Sequence, residues 1–170
     1  MDIFILAQGI GFIALAFGTS AFQFKDQKAM FLMNEFANFI WIIHYLLLGG
    51  YTASFVLFIS IIRACVVLLL HEKWKMPAIV IGLGCNLFFC LLSPELYWYK
   101  YLPFVAALIY SFALYFNDRF YTARLCAFAA VISWLVYGLL LPSLPEVLES
   151  ILLLTSIAVG IVRHRQKKAA

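Results

Sequence analysis

Long apolar runs interrupted by short polar breaks set the pattern of this chain. Ile3 to Phe24 is almost wholly apolar and stops at Lys25, Asp26, Gln27 and Lys28. A second run, about Phe31 to Leu48, ends at Gly49 and Gly50, and a third, Ala53 to Leu70, ends at His71, Glu72, Lys73 and Lys75. The fourth begins at Pro77, whose missing N–H suits a first helical turn, and ends at Ser93 and Pro94. The fifth covers about Tyr101 to Phe116, the sixth about Tyr121 to Leu141, and the seventh about Pro145 to Val162. A helix needs roughly 20 residues to cross the hydrocarbon core. Lipid offers no partner to a free backbone N–H or C=O, so such runs are expected to span as helices. The pattern predicts an all-α membrane protein with seven transmembrane helices.

Composition sharpens that reading. Of 170 residues, 66% are hydrophobic and 12% charged, where a soluble domain has about 25% charged. A water-soluble fold is excluded, and seven spans leave no room for a second domain. Asp2 precedes the first run and no basic n-region does, so that run reads as a first membrane helix and not a signal peptide. Cys65, Cys85, Cys90 and Cys126 lie inside apolar runs without metal or redox spacing and read as small hydrophobes.

Orientation follows from the basic residues. Lys25, Lys28, Lys73, Lys75, Arg119 and Arg124 flank the breaks after spans one, three and five, and Arg163, Arg165, Lys167 and Lys168 fill the tail. Only Lys100 lies on the opposite side, and Arg63 falls within a span. The bias predicts a periplasmic N-terminus and a cytoplasmic C-terminus. Tyr97, Trp98, Tyr99 and Tyr101 then occupy the outer interface, where aromatic side chains concentrate.

The chain also aligns with itself. A shift of 92 positions pairs residues 10–71 with 102–163 without gaps, and 13 of the 62 pairs are identical, among them Phe12 with Phe104, Asp26 with Asp118 and Tyr45 with Tyr137. Two three-helix units joined directly would face opposite ways, and an intervening span restores parallel orientation. The expected plan is three plus one plus three: a first repeat over 3–71, a linker helix over 76–93, a second repeat over 101–163 and a basic tail over 164–170. Parallel repeats related by an axis along the membrane normal form a transporter plan with the solute site between them.

Trp134 to Gly138 reads W-L-V-Y-G and is followed by Pro145 and Glu146. This resembles the second-to-third helix segment of the SWEET and SemiSWEET sugar transporters of the PQ-loop superfamily, with a fainter copy in Trp41, Tyr45, Gly49 and Gly50. The stretch from Gly11 to Lys28 and the Gly49–Thr52 turn make the whole chain similar to the YgjV-type bacterial inner-membrane proteins. The resemblance implies the repeat fold over nearly the full length and a transport function. The chain departs from the SWEET pattern at the Pro-Gln hinge, where it has Phe22–Gln23 and Leu114–Tyr115, and at the site asparagines, where it has Phe58 and Ser150.

Polar side chains inside spans are expensive and therefore functional candidates. Asn34, Asn38, Trp41 and Tyr45 form one helical stripe, matched in the second repeat by Ser133 and Tyr137. With Ser150 they are the candidate solute-binding residues; interhelical hydrogen bonding is the competing reading. Glu35 and Arg63 differ in depth by roughly 5 Å and are expected to pair, as a gate or as a structural bridge. His44 reads as an interface residue at a helix end. Glu146 suits a helix N-terminus, while Glu149, one turn deeper, is a candidate to face the cavity. Gly11, Ala14, Gly18 and Ala21 form a small-residue packing face.

No phosphate loop, zinc-binding helix or nucleophile elbow is present, so neither an enzyme nor a cofactor is expected. No metal site is expected either. The tail basics answer to orientation and anionic lipid, not to nucleic acid. The expected partners are membrane lipid, a small-molecule solute and, as a candidate, a second copy of the chain. Two functions remain: a SWEET-like small-solute transporter, by uniport or proton coupling, and a non-transporting membrane receptor or interaction protein on the same fold.

Overall fold

The computed structural model describes residues 2–21, 23–24, 26–69, 74–115 and 120–169. The polar breaks at Lys25, 70–73 and 116–119 lie outside the described residues, as do Phe22 and the side chains of Lys28, Lys75, Ala113, Leu114, Tyr115, Arg163, Arg165, Lys167 and Lys168.

Among the described residues the chain forms seven α-helices: α1 Ile3–Ala21, α2 Gln27–Leu47, α3 Tyr51–Leu69, α4 Lys75–Leu92, α5 Leu102–Tyr115, α6 Phe120–Leu140 and α7 Leu144–Ala169. A 3-10 turn over Trp98–Tyr101 leads into α5. The stretches Ile3–Ala21, Tyr121–Leu140 and Leu144–Val162 are long and apolar enough to cross a membrane, and shorter apolar stretches lie in α3 and α4.

Helix limits follow local chemistry. Asp26 is the N-cap of α2, its carboxylate accepting from Ala29 N at 3.1 Å, so α2 starts at Gln27 and not near Phe31. It ends where Gly49 takes φ +79°, a conformation that suits glycine, and Gly50 N returns to Tyr45 O at 2.8 Å. The seventh helix does not stop at Val162. It runs through Arg, Gln and Lys, which are good helix formers, to Ala169.

Each helix packs on its chain neighbour, and the Trp98–Tyr101 turn packs on α5, α3 and α6. The ring closes where α7 returns to α1, and α3 meets α5 across it. Lipid tails are as apolar as leucine, so close van der Waals packing holds such helices together. Accordingly α1 buries only small residues, Ala7, Gly11, Ala14, Gly18 and Ala21. The core gathers Ala14, Trp41, Tyr45, Ala53, Tyr137 and Leu141 from α1, α2, α3, α6 and the turn after α6. Phe55 and Phe89 stack face to face at 4.0 Å and fix α4 against α3.

Candidate functional site

The polar chemistry converges at the end of the bundle where α2 and α6 finish and α3 and α7 begin. His44 is fully buried there. Its Nδ1 lies 2.7 Å from Ala7 O and its Nε2 2.7 Å from Ser143 Oγ. A carbonyl only accepts, so Nδ1 carries the proton, and Nε2 of the neutral ring accepts from the serine hydroxyl. One imidazole therefore ties α1, α2 and the α6–α7 turn.

One residue on, the Tyr45 hydroxyl donates to Glu146 Oε2 across the bundle. Ser150 Oγ donates to Glu146 Oε1 at 3.0 Å, so both carboxylate oxygens accept from hydroxyls. Gly138 makes room for this arrangement: a Cβ there would lie 2.7 Å from Glu146 Cγ. Glu149, a turn further along α7, has an oxygen 3.1 Å from where a Cβ on Gly18 would sit, and Trp41 lies beside it.

Aromatic rings fill the space between. Tyr45 is sandwiched between Trp41 and Trp134, with centroids 5.6 and 5.8 Å away and interplanar angles of 24° and 25°. Tyr137 meets Tyr45 edge-on at 5.8 Å. The Tyr137 hydroxyl is buried without a hydrogen-bond partner, pressed so close to Gly50 that a Cβ there would lie 2.5 Å from it.

A second carboxylate closes the same end from outside. Glu95, on the loop after α4, accepts from Thr52 N at 3.1 Å, Thr52 Oγ1 at 2.6 Å, Ser93 Oγ at 3.2 Å and the Tyr97 hydroxyl at 2.9 Å. It thereby caps the start of α3, where free N–H groups favour a negative charge. Burial, and then the bond to Glu95, push the Tyr97 phenol well above its usual range.

The residues singled out from sequence divide into two groups. Trp41, Tyr45, Tyr137 and Ser150 are buried together in this cluster. Asn34 is exposed, Asn38 is half-buried and donates to Glu35 Oε2 at 3.2 Å, and Ser133 bonds only Ala129 O of its own helix at 3.4 Å. Among the described residues Glu35 and Arg63 share no direct hydrogen bond, although their charges act on each other. Arg63 Nη1 donates instead to Ser111 Oγ at 3.1 Å, tying α3 to α5, because α5 offers a hydroxyl within closer reach than the α2 carboxylate. His44 is hydrogen-bonded near the end of its helix and buried against protein on all sides. Glu146 is more than a helix cap, and Glu95 was not singled out at all. The signal for Glu95 was a lone acid in the loop after α4, between Ser93-Pro94 and Leu96-Tyr97-Trp98.

Among the described residues no group of three or more His, Cys, Asp or Glu side chains could hold a metal ion. No curated protein and no solved structure matches the chain. A family model does, described as bacterial inner membrane protein, and it matches residues 5–168. Matched over nearly its whole length, the chain belongs to the Imp-YgjV family of bacterial inner membrane proteins.

Proposed function

We propose that this protein is a small-solute transporter that works by alternating access, with its outer end closed here. The observation that carries the reading is an imbalance of burial along α2 and α3. In α3 the buried residues described are Thr52, Ala53, Ser54 and Val56, all in its first two turns. In α2 they are Ala37, Trp41, His44 and Tyr45, all in its second half. Toward the other end Glu35, Asn38, Arg63 and Ser133 are only half-buried, although polar side chains at such depth are costly unless they face protein or water. A sealed, hydrogen-bonded end above a half-open polar region is what a carrier closed on one side requires.

The helix contacts support a three-plus-one-plus-three repeat. Exchanging α1 with α5, α2 with α6 and α3 with α7 maps the α1–α7 contact onto α5–α3. The paired tyrosines follow the same exchange. Tyr45 reaches the first turn of α7 at Glu146, and Tyr137 reaches the chain entering α3 at Gly50. A relationship to the SWEET transporters fits this plan. In our reading all seven helices span the bilayer, with the sealed end periplasmic and the C-terminus cytoplasmic, on the strength of the basic-residue bias.

The test is uptake into proteoliposomes across sugars, amino acids and organic acids. It is joined to thiol labelling of single cysteines at Asn38 and Ser133 in a background lacking the four native cysteines. Saturable uptake of one solute class, with both positions reactive from the cytoplasmic face, is expected. Absence of flux for every class would overturn the transport reading in favour of a receptor.

A further inference from the structure

We propose that Glu146 and Glu149 together hold one exchangeable proton, and that its binding couples closure of the outer end to solute movement. This rests on the transport reading above and names its driving ion. The two carboxylates stand three residues apart on α7, on neighbouring positions of one helix face. They lie within a membrane-spanning stretch. Two carboxylates so placed, with no cation beside them among the described residues, cannot both stay ionised, since each charge is costly in a medium of low dielectric and each opposes the other.

The first helix, Ile3–Ala21, has no ionisable side chain. From α2 come Tyr45, bonded to Glu146, and His44, held between Ala7 O and Ser143 Oγ. From α6 comes Tyr137, edge-on to Tyr45. Among the described residues the groups acting directly on the two carboxylates are Tyr45, Ser150 and Trp41, none of them a Lys or Arg. Arg63 is occupied by Ser111 on the far side of the ring.

Geometry also assigns the proton. Both oxygens of Glu146 accept from hydroxyl donors, the arrangement that suits an ionised carboxylate. Among the described residues Glu149 has one donor, the Trp41 indole N–H, and its other neighbour is the bare backbone of Gly18, where a Cβ would be 3.1 Å from its oxygen. Glu149 is therefore the carboxylic acid of the pair and Glu146 the carboxylate. Opening the outer end withdraws Tyr45 from Glu146 and admits water, and both groups then ionise with release of the proton from Glu149. The closed form holds one proton more than the open form, so acid on the outer side favours closure.

The test is infrared absorption of the full chain in phosphatidylcholine vesicles, which reads the carbonyl band of a protonated carboxylic acid without any solute. At neutral pH the wild type is expected to show such a band, equivalent to one residue. Glu149→Gln should reduce it to background, and Glu149→Asp should restore it, which excludes loss through misfolding. Glu35→Gln should leave it unchanged. No band in the wild type, or a band that survives Glu149→Gln, would overturn the proposal. The uptake panel is read separately. A band without flux in any solute class removes the transport reading and leaves the proton site standing; flux without a band does the reverse.

Discussion

Replacing Gly11 with alanine tests whether the closed end is keyed to the backbone of α1. A Cβ at Gly11 would lie 2.5 Å from Pro145 Cγ, 2.7 Å from His44 Nδ1 and 2.8 Å from His44 Cε1. Carbon atoms in contact prefer about 3.5–4.0 Å, and neither neighbour can step aside. Pro145 is a ring in the first turn of α7, and the imidazole is fixed by two hydrogen bonds of 2.7 Å. The helix must retreat by about 1 Å, which also stretches the bond from His44 to Ala7 O. Overpacking of this kind costs about 1–3 kcal/mol, and the weakened hydrogen bond adds about 1 kcal/mol. Alanine returns about 0.5–1 kcal/mol of helix preference. The net loss is about 1–3.5 kcal/mol. Gly9, two residues away on the same helix, has nothing within 4 Å of its Cβ position, so Gly9→Ala should gain about 0.5–1 kcal/mol. With about 2–4 °C per kcal/mol for a chain of this size, the variants should differ by about 3–18 °C in thermal unfolding in detergent. Equal midpoints, or a Gly11→Ala variant as stable as wild type, would refute the close approach of α1 to His44 and Pro145.

Tyr45→Phe and Glu146→Gln should each cost about 1.5–3 kcal/mol in detergent unfolding, and the double variant should cost clearly less than the two together, since they share one charge-assisted bond. Arg63→Ala and Ser111→Ala should couple, as bonded partners do, and more strongly than Glu35→Gln and Arg63→Ala, whose charges act on each other without a direct bond. Reporter fusions after Lys75 and Arg165 should read cytoplasmic and one after Gly50 external. Because the Tyr97 phenol is held in its protonated form, its share of stability is complete below its ordinary value near 10 and is lost as pH rises beyond it. Wild type should therefore lose stability in that range faster than Tyr97→Phe does.

How much of this was legible in the sequence depends on how local each cause is. The helices were, because an apolar run and a Gly or Pro break act within a few residues. The first predicted run, ending at Phe24, and the α1 limit at Ala21 differ by three residues, and the Gly49–Gly50 turn is where it was expected. The α2 start was missed because Asp26 was read as loop charge although it is a cap for Ala29. The site was legible only in part. Trp41, Tyr45 and Tyr137 could be grouped by helical spacing and by the repeat, both of which are written along the chain. Which acid Tyr45 would meet depends on a contact 101 residues away, and Thr52 meets Glu95 from 43 residues away. Arg63 was paired with Glu35 on depth alone. Depth does not say which side of a helix faces which neighbour, and α5 supplied Ser111 first.

The glycine sockets of α1 bear on the order in which the protein can be assembled. Both occupants of those sockets on the α7 side, Pro145 at Gly11 and Glu149 at Gly18, are made more than a hundred residues after the sockets themselves. Gln8 likewise donates to Pro142 O at 2.8 Å, 134 residues further on. At about 5–20 residues per second α1 waits roughly 7 to 27 seconds for its partner. During that time α1 has only α2 to pack against and presents a bare strip of alanine and glycine to lipid. The ring is thus closed by its oldest and youngest segments, and a chain truncated before Pro142 would leave His44 without Ser143 and α1 without its final seat.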